Sequence, residues 1–300
     1  MSHWNLDSTM SNQERREPPV PDELPTTHRL LTRKHKQEIH MAHLTLAMHD
    51  DIAVVTFDNP PLSVMTPQTV HELHNLLPQL ESDDIHAVVF TGTGDDYFVR
   101  HFSVEALDDS AQGRGTQWEV SMIDVLLRLE ALPKPVIAAL NGTALGGGLE
   151  LALAMDMRVA KGGRSYFGLP EITVGILPGG GGTQRLSALV GRHQALMMMW
   201  RARLCTAQEA HDIGLVDELV AENEAETALD RALEIAREIA ARPPLAVAHI
   251  KRLAQNAETP VTREMLQLEG ALFGELMATD EAKQLLAAVA GDHRKERESS

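Results

Sequence analysis

Two glycine-rich stretches, each running into a helical pattern, hold the residues best suited to chemistry. The first is Asn141-Gly142-Thr143-Ala144-Leu145-Gly146-Gly147-Gly148-Leu149-Glu150, where an apolar strand ends, a glycine triplet follows and a helix begins. Glycine lets a backbone approach a ligand closely and leaves the N–H unobstructed. A helix N-terminus adds unpaired donors and a partial positive charge. Together they suit an anion, or an oxygen that gains negative charge as a reaction proceeds. Glu150 falls in the first helical turn, close to those donors. Close helix–strand packing by small residues is the competing explanation, and a triplet alone does not choose between them.

The second stretch is Phe167-Gly168-Leu169-Pro170-Glu171-Ile172-Thr173-Val174-Gly175-Ile176-Leu177-Pro178, followed by Gly179–Gly182 and Thr183-Gln184-Arg185. Glu171 stands between Pro170 and an apolar run, a poor place for a solvated carboxylate. Burial raises a carboxyl pKa and lets the group hold or donate a proton. The alternative is a structural acid paired with an arginine. No Gly-Lys-Ser/Thr follows the glycine run, so it is not a P-loop. In a third stretch, Arg100-His101-Phe102-Ser103-Val104, Ser103 suits the N-cap of a short helix, and the turn before it can aim backbone donors outward.

The surrounding pattern supplies the frame. Two strands are expected at His43–Met48 and Ile52–Phe57, joined by a His-Asp-Asp turn. Thr66 caps a helix through about Glu81, with Val70, Leu73, Leu76, Leu77 and Leu80 on one face. Further strands are expected at Ala87–Thr91, Val136–Leu140 and Met157–Ala160, with helices at Val120–Leu132 and Gly147–Ala154. From Thr183 the chain reads as largely helical: 183–190, 192–201, 206–212, 225–241, 244–256, 261–277 and 279–290. Strands alternating with helices imply an α/β sheet core. The helical end is expected either to pack on its own core or to cover a neighbouring subunit. No internal repeat is visible. Residues 1–40 are rich in proline and polar side chains, with a short helix expected around 29–38; they read as an extension, 41–240 as the core and 241–300 as a C-terminal helical region.

Composition narrows the function. The chain has 300 residues, a net charge of −16 and a single cysteine. Basic and acidic side chains cancel within residues 1–40, so the excess negative charge sits on the rest. That sign argues against nucleic acid, whose binding rests on Lys and Arg neutralising phosphates, and against a polybasic membrane anchor. The apolar stretch Val136–Met155 approaches the length of a membrane span, yet it contains Asn141, Glu150 and the glycine triplet. The lone Cys205 and an N-terminus without an apolar signal core lead to the expectation of a reducing, cytoplasmic setting. His71 and His74 share a helix face but lack an evident third ligand, so no metal site is expected. Met197–Met199 is apolar helix filler and Cys205 a structural residue. No serine nucleophile elbow is present.

Taken together, Asn141–Asp156 and Phe167–Leu186 resemble the two signature segments of the crotonase (enoyl-CoA hydratase/isomerase) superfamily, and the order of elements resembles it over about 41–290. The resemblance implies a crotonase-like spiral of ββα units, a C-terminal helical region used for trimerisation, and a homotrimer or homohexamer. It implies acyl-CoA thioester substrates, with coenzyme A as part of the substrate and no separate cofactor. Gly147 and Phe102 fall at the two oxyanion-hole positions, acting through backbone N–H groups. Glu150 and Glu171 fall at the paired glutamates of hydratases, and Gly179 at a backbone donor for the catalytic water. Arg100, His101, Val104 and Gly146 would line the substrate. The implied reaction is hydration of 2-enoyl-CoA. The alternatives are enoyl-CoA delta-isomerisation or another enolate-forming reaction, and an acyl-CoA-binding scaffold without turnover.

The sequence departs from the family in three places. Arg100-His101-Phe102 replaces a small-Gly-small loop, and Ser103 an aspartate. A backbone donor survives any side chain, while Phe102 can narrow the acyl pocket; His101 is either a surface residue or an added acid/base group. Ser63 stands where an asparagine is usual, and Glu105 where many relatives carry a lysine for the nucleotide. Lys251, Arg252, Arg294, Lys295 and Arg297 remain as candidates for the CoA phosphates.

Overall fold

The computed structural model describes residues 38–60, 63–113, 118–255 and 279–280. They run β1 (Glu38–His40), β2 (Leu44–His49), β3 (Ile52–Phe57), α1 (Pro67–Leu80), β4 (Ala87–Gly92), β5 (Tyr97–Val99), α2 (Val104–Ala111), α3 (Met122–Glu130), β6 (Val136–Leu140), β7 (Thr143–Leu145) and α4 (Gly147–Leu153). There follow β8 (Met157–Lys161), β9 (Tyr166–Gly168), a 3₁₀ turn (Glu171–Val174), α5 (Gly182–Val190), α6 (Arg192–Trp200), β10 (Cys205–Thr206), α7 (Ala207–Asp212), β11 (Glu218–Val220), α8 (Ala228–Ala240) and α9 (Pro244–Gln255).

A seven-stranded sheet has the order β1-β2-β3-β4-β6-β8-β11, and a four-stranded sheet the order β10-β9-β7-β5. Pairing is parallel from β3 through β11 in the large sheet, and antiparallel at the β1–β2–β3 edge. The spiral lies in the connections. β4, β6 and β8 lie in the large sheet, and each is followed by a strand of the small one: β5, β7 and β9. Helices then lead back to the large sheet, and after β9 the chain first adds β10 to the small sheet before α7 leads to β11. This ββα repeat has no echo in the sequence, because its units share geometry and not residues.

Side-chain alternation along the strands divides the core into two layers. Ala53, Val55, Val88, Phe90, Ala138 and Leu140 face one way and pack with α1 and α3 through Leu73, Leu76, Leu77, Val125, Leu126 and Leu129. Ile52, Val54, Ala87, Val89, Ile137 and Ala139 face the other way and pack with α8 through Ala228, Ala232, Leu233, Ile235 and Ala236. A parallel sheet covered on both faces needs such continuous apolar strands. Of the two fates expected for the helical end, α8 therefore covers its own chain's sheet.

Local chemistry sets the ends of these elements. Thr66 caps α1 in a reciprocal box with Thr69, and Ser103 caps α2 by accepting the Ala106 N–H at 3.2 Å. Asp50 takes a left-handed φ of 59° in the β2–β3 turn. β1 pairs with β2, so the sheet already begins inside the stretch 1–40 read as an extension. The helix expected around 29–38 lies outside the described residues except for Glu38, which is in β1. The helix expected at 261–277, most of the one at 279–290, and residues Arg294, Lys295 and Arg297 also lie outside them. The apolar stretch Val136–Met155 resolves into β6, β7 and α4; among the described residues no helix is long and apolar enough to cross a membrane. No group of three or more His, Cys, Asp or Glu side chains converges among them either.

One buried charge ties the sheet's far edge to the core. Arg158 of β8 is 3% exposed; its Nη2 and its backbone N–H both donate to Asp217 Oδ2, at 2.8 and 2.7 Å. Its Nε and Nη1 donate to the carbonyls of Leu215 and Met155. Removing one partner from a buried ion pair strands the other charge. Asp217→Ala is therefore expected to lower unfolding stability by about 3 kcal/mol; urea denaturation showing a loss below about 1 kcal/mol would contradict this role.

Candidate active site

The strand end before α2 is pinned beside residues 63–65. Arg100 N–H donates to Ser63 O at 2.8 Å, Met65 N–H to His101 O at 2.8 Å, and Ser103 N–H to Met65 O at 2.7 Å. These bonds use the peptide groups flanking Phe102, so the Phe102 N–H faces the opposite side. There it meets the start of α4: a Cβ placed on Gly147 would stand 3.5 Å from the Phe102 nitrogen. Gly147 is the first residue of α4, and its N–H has no place in the helical ladder. Two backbone donors from separate loops thus open onto one space. The turn accepts the His101 side chain without a left-handed φ; the strained residue is Ser63, at φ 50°. Asparagine tolerates that conformation better than serine does.

α4 can sit this close to β5 because Gly148 lacks a side chain: a Cβ there would lie 2.0 Å from the Val99 carbonyl oxygen. One turn further along, Glu150 is 3% exposed. Its Oε1 accepts the Gly180 N–H at 2.7 Å and the Gly182 N–H at 2.8 Å. Its pKa is raised, first by burial; the Gly182 and Gly180 N–H groups and the positive charge of Arg185 offset only part of that rise. The donors that hold Glu150 thus come from the second glycine run and not from the helix that carries it.

Glu171 opens the 3₁₀ turn beside Gly146, the left-handed residue before α4 (φ 49°). A Cβ on Gly146 would stand 3.0 Å from Glu171 Oε1. Among the described residues Glu171 Oε2 is shut off from solvent and has no hydrogen-bond partner. Among the described residues no arginine pairs with it, as the structural alternative would require. Its pKa is pushed up to about 7, first by burial and further by the neighbouring Glu150 charge, against a lowering hydrogen bond from its own backbone. The two carboxyls are thus neighbours with different environments: one is satisfied, the other is not.

Of the other expected residues, His101 lies near Gly146, its Cβ 4.0 Å from a Cβ built there. His101 Nδ1 lies 2.8 Å from Phe102 O, and the Arg100 guanidinium lies 5.5 Å from the centre of the Tyr97 ring. Val104 is half-exposed at the start of α2, and Gly179 is exposed just before Gly180. Lys251 does not serve a phosphate: its Nζ is buried against Asp156 Oδ2 at 2.7 Å and Lys134 O at 3.0 Å, fixing α9 to the core. Several neighbours escaped the sequence reading. Met122 Cε would lie 3.7 Å from a Cβ on Gly147 and 3.0 Å from one on Gly180. Phe102 packs on Trp118 at 5.2 Å between ring centres, and Arg185 pairs with Glu130.

The model of the enoyl-CoA hydratase/isomerase family matches residues 47–295. The chain belongs to this family. The short-chain-enoyl-CoA hydratase of Clostridium acetobutylicum is 35% identical over 252 residues, 83% of this chain and 95% of that protein. The crotonyl-CoA hydratase of Syntrophomonas wolfei is 33% identical over 249 residues, 82% and 94% of the two chains. The crystal structure of enoyl-CoA hydratase from Geobacillus kaustophilus superposes with a TM-score of 0.79 at 30% identity, covering 86% of this chain and 97% of that one. As a member of the enoyl-CoA hydratase/isomerase family the chain is an enzyme, with the expected crotonase-like α/β fold.

The raised Glu171 carboxyl has a consequence for stability. The folded form holds a proton that the unfolded chain releases near 4.5, so stability is lost as pH rises from about 4.5 through about 7. Glu171→Gln removes that loss. At pH 8 the variant is expected to be more stable than the parent by about 2 kcal/mol, after discounting for partial solvent access. The gap should close at pH 4.5. Thermal melts with equal pH slopes for the two proteins would contradict the raised carboxyl.

Proposed function

We propose that this chain hydrates 2-trans-enoyl-CoA thioesters to 3-hydroxyacyl-CoA, using Glu150 and Glu171 in opposite protonation states. The observation that carries the reading is the asymmetry of the pair beside two free backbone donors. The thioester oxygen sits between the Phe102 and Gly147 N–H groups, each contributing about 10²–10³ in rate as negative charge collects there. Ionised Glu150 takes a proton from water while the water oxygen bonds to C3. Electrons move through C2 onto the thioester oxygen, and protonated Glu171 returns a proton to C2 as the enolate collapses. Gly179 steadies the water, and Arg100, His101, Val104 and Gly146 line the acyl thioester. The two carboxyls then exchange their extra and missing proton with solvent.

Isomerisation needs the two donors and one base, and it leaves a second buried carboxyl without a task. A binding scaffold needs neither carboxyl. Coenzyme A belongs to the substrate, and the reaction as written needs no further cofactor. Arg252, Arg294, Lys295 and Arg297 are the other proposed partners for the CoA phosphates. A homotrimer or homohexamer is supported by the exposed side chains of Ile172, Val174, Ile176 and Leu177 beside Glu171.

The test is loss of enoyl absorbance with crotonyl-CoA and longer 2-enoyl-CoA substrates. Turnover is expected for the parent, with kcat falling about 10²–10⁴-fold in Glu150→Gln and in Glu171→Gln. Binding without turnover in the parent would favour the scaffold. Turnover retained in both variants would contradict the two-carboxyl mechanism.

A further inference from the structure

Arg185 stands behind the loop that holds Glu150. Its Nη1 donates to the Gly180 carbonyl at 2.8 Å, and the N–H of that same residue donates to Glu150 Oε1 at 2.7 Å. The space for the guanidinium comes from Gly181, whose φ is 92° and where a Cβ would lie 2.4 Å from Nη1. The rest of the fork is used by the last residue of α3. Arg185 Nε and Nη2 donate to Glu130 Oε1 and Oε2, at 3.2 and 2.8 Å. A bidentate pair fixes both direction and distance, which a lysine cannot do. Helix α9 adds a further tie, since Gln255 Nε2 donates to Glu130 O at 2.8 Å. Arg185 is 15% exposed and Glu130 35% exposed, so the pair is screened less than a surface bridge.

We propose that Arg185, locked by Glu130, is a positioning residue that keeps the Gly180–Gly182 loop aimed at Glu150 and keeps Glu150 charged. The inference rests on the proposed role of Glu150 and reaches residues that touch no substrate. It assigns two effects to one side chain. The grip on Gly180 O holds the glycine N–H groups in line, and the cation favours the ionised carboxylate. Glu130 supports the first effect and opposes the second, because it neutralises part of the Arg185 charge. Burial raises the Glu150 pKa and the Gly182 and Gly180 N–H groups lower it; the charged groups around it are Arg185 on α5, with Glu130 behind it, and Glu171 on the 3₁₀ turn, while His101 lies on the far side of Gly146. At β5, which packs on α4, Tyr97 and Arg100 stack on each other.

The test is a pH titration of the full chain carrying ¹³C-carboxyl glutamate, read by NMR. The Glu150 signal is the one that disappears in Glu150→Gln. In Arg185→Gln it is expected to titrate higher than in the parent by about half to one unit, because an attracting charge is gone. In Glu130→Gln, which keeps one acceptor for the guanidinium, it is expected to titrate lower. Arg185→Lys keeps the charge and loses the fork, so the titration stays near the parent's while hydration kcat falls about tenfold with KM little changed. A role confined to stability moves the melting temperature and leaves these titrations in place. A folded Arg185→Gln with an unshifted Glu150, or a Glu130→Gln shift in the upward direction, overturns the proposal. If Arg185→Gln does not fold, the sign of the Glu130→Gln shift decides. A parent without hydration activity but with the expected shifts defeats the hydration reading alone; an active parent without the shifts defeats this inference alone.

Discussion

The two hydrogen bonds from Gly180 and Gly182 to Glu150 are the constraint on which the rest of the site depends. A carboxylate taken out of water costs several kcal/mol unless its oxygens are satisfied. Glu150 is carried by α4, and its donors by the loop before α5. Both must be delivered to one point, and each delivery has its own requirement. α4 reaches it because Gly148 lets the helix lie against the Val99 carbonyl. The loop reaches it because Gly181 makes room for Arg185, which α3 secures through Glu130. The same approach of α4 to β5 brings Gly147 beside Phe102. The backbone donors and the buried Glu150 carboxyl are thus products of a single packing arrangement.

Glu171 gains its character from what it lacks. It is close enough to feel the Glu150 charge, partly buried, and without a donor for Oε2 among the described residues. Giving one carboxyl two backbone donors from the facing loop and its neighbour none at Oε2 separates their proton affinities, and an acid and a base can then coexist at neutral pH. The structure tolerates the resulting instability because the core beneath is extensive and covered on both faces.

Much of the frame is legible in the sequence. The long strands β3 and β6 begin and end where their apolar runs do, and Thr66 and Ser103 announce their helices through side-chain caps. The small sheet is not legible. β5, β7 and β9 are three residues each, too short for an alternation signal, and their partners lie far away in the chain. Within the site, Glu150 and Glu171 stand out because each is a carboxylate in an apolar or glycine-rich setting. Which glycines of the second run face Glu150 depends on the left-handed turn at Gly181, and composition does not reveal it. Glu130 lies near the end of the helix expected at Val120–Leu132, with nothing in the local pattern to link it to Arg185, which it meets across 55 residues. Lys251 reads as a free cation on a helix and is instead bound to Asp156, 95 residues earlier. The apolar residues after Glu171 point outward and not over it.

The central claim is that one of two adjacent carboxyls stays protonated at a pH where the other is charged. Difference infrared spectroscopy measures this directly, because a protonated carboxyl has its own stretching band. A band is expected to persist until about pH 7 in the parent and to be absent in Glu171→Gln. A parent in which every carboxyl band is gone by the ordinary range near 4.5, with no difference between the two proteins, would contradict it.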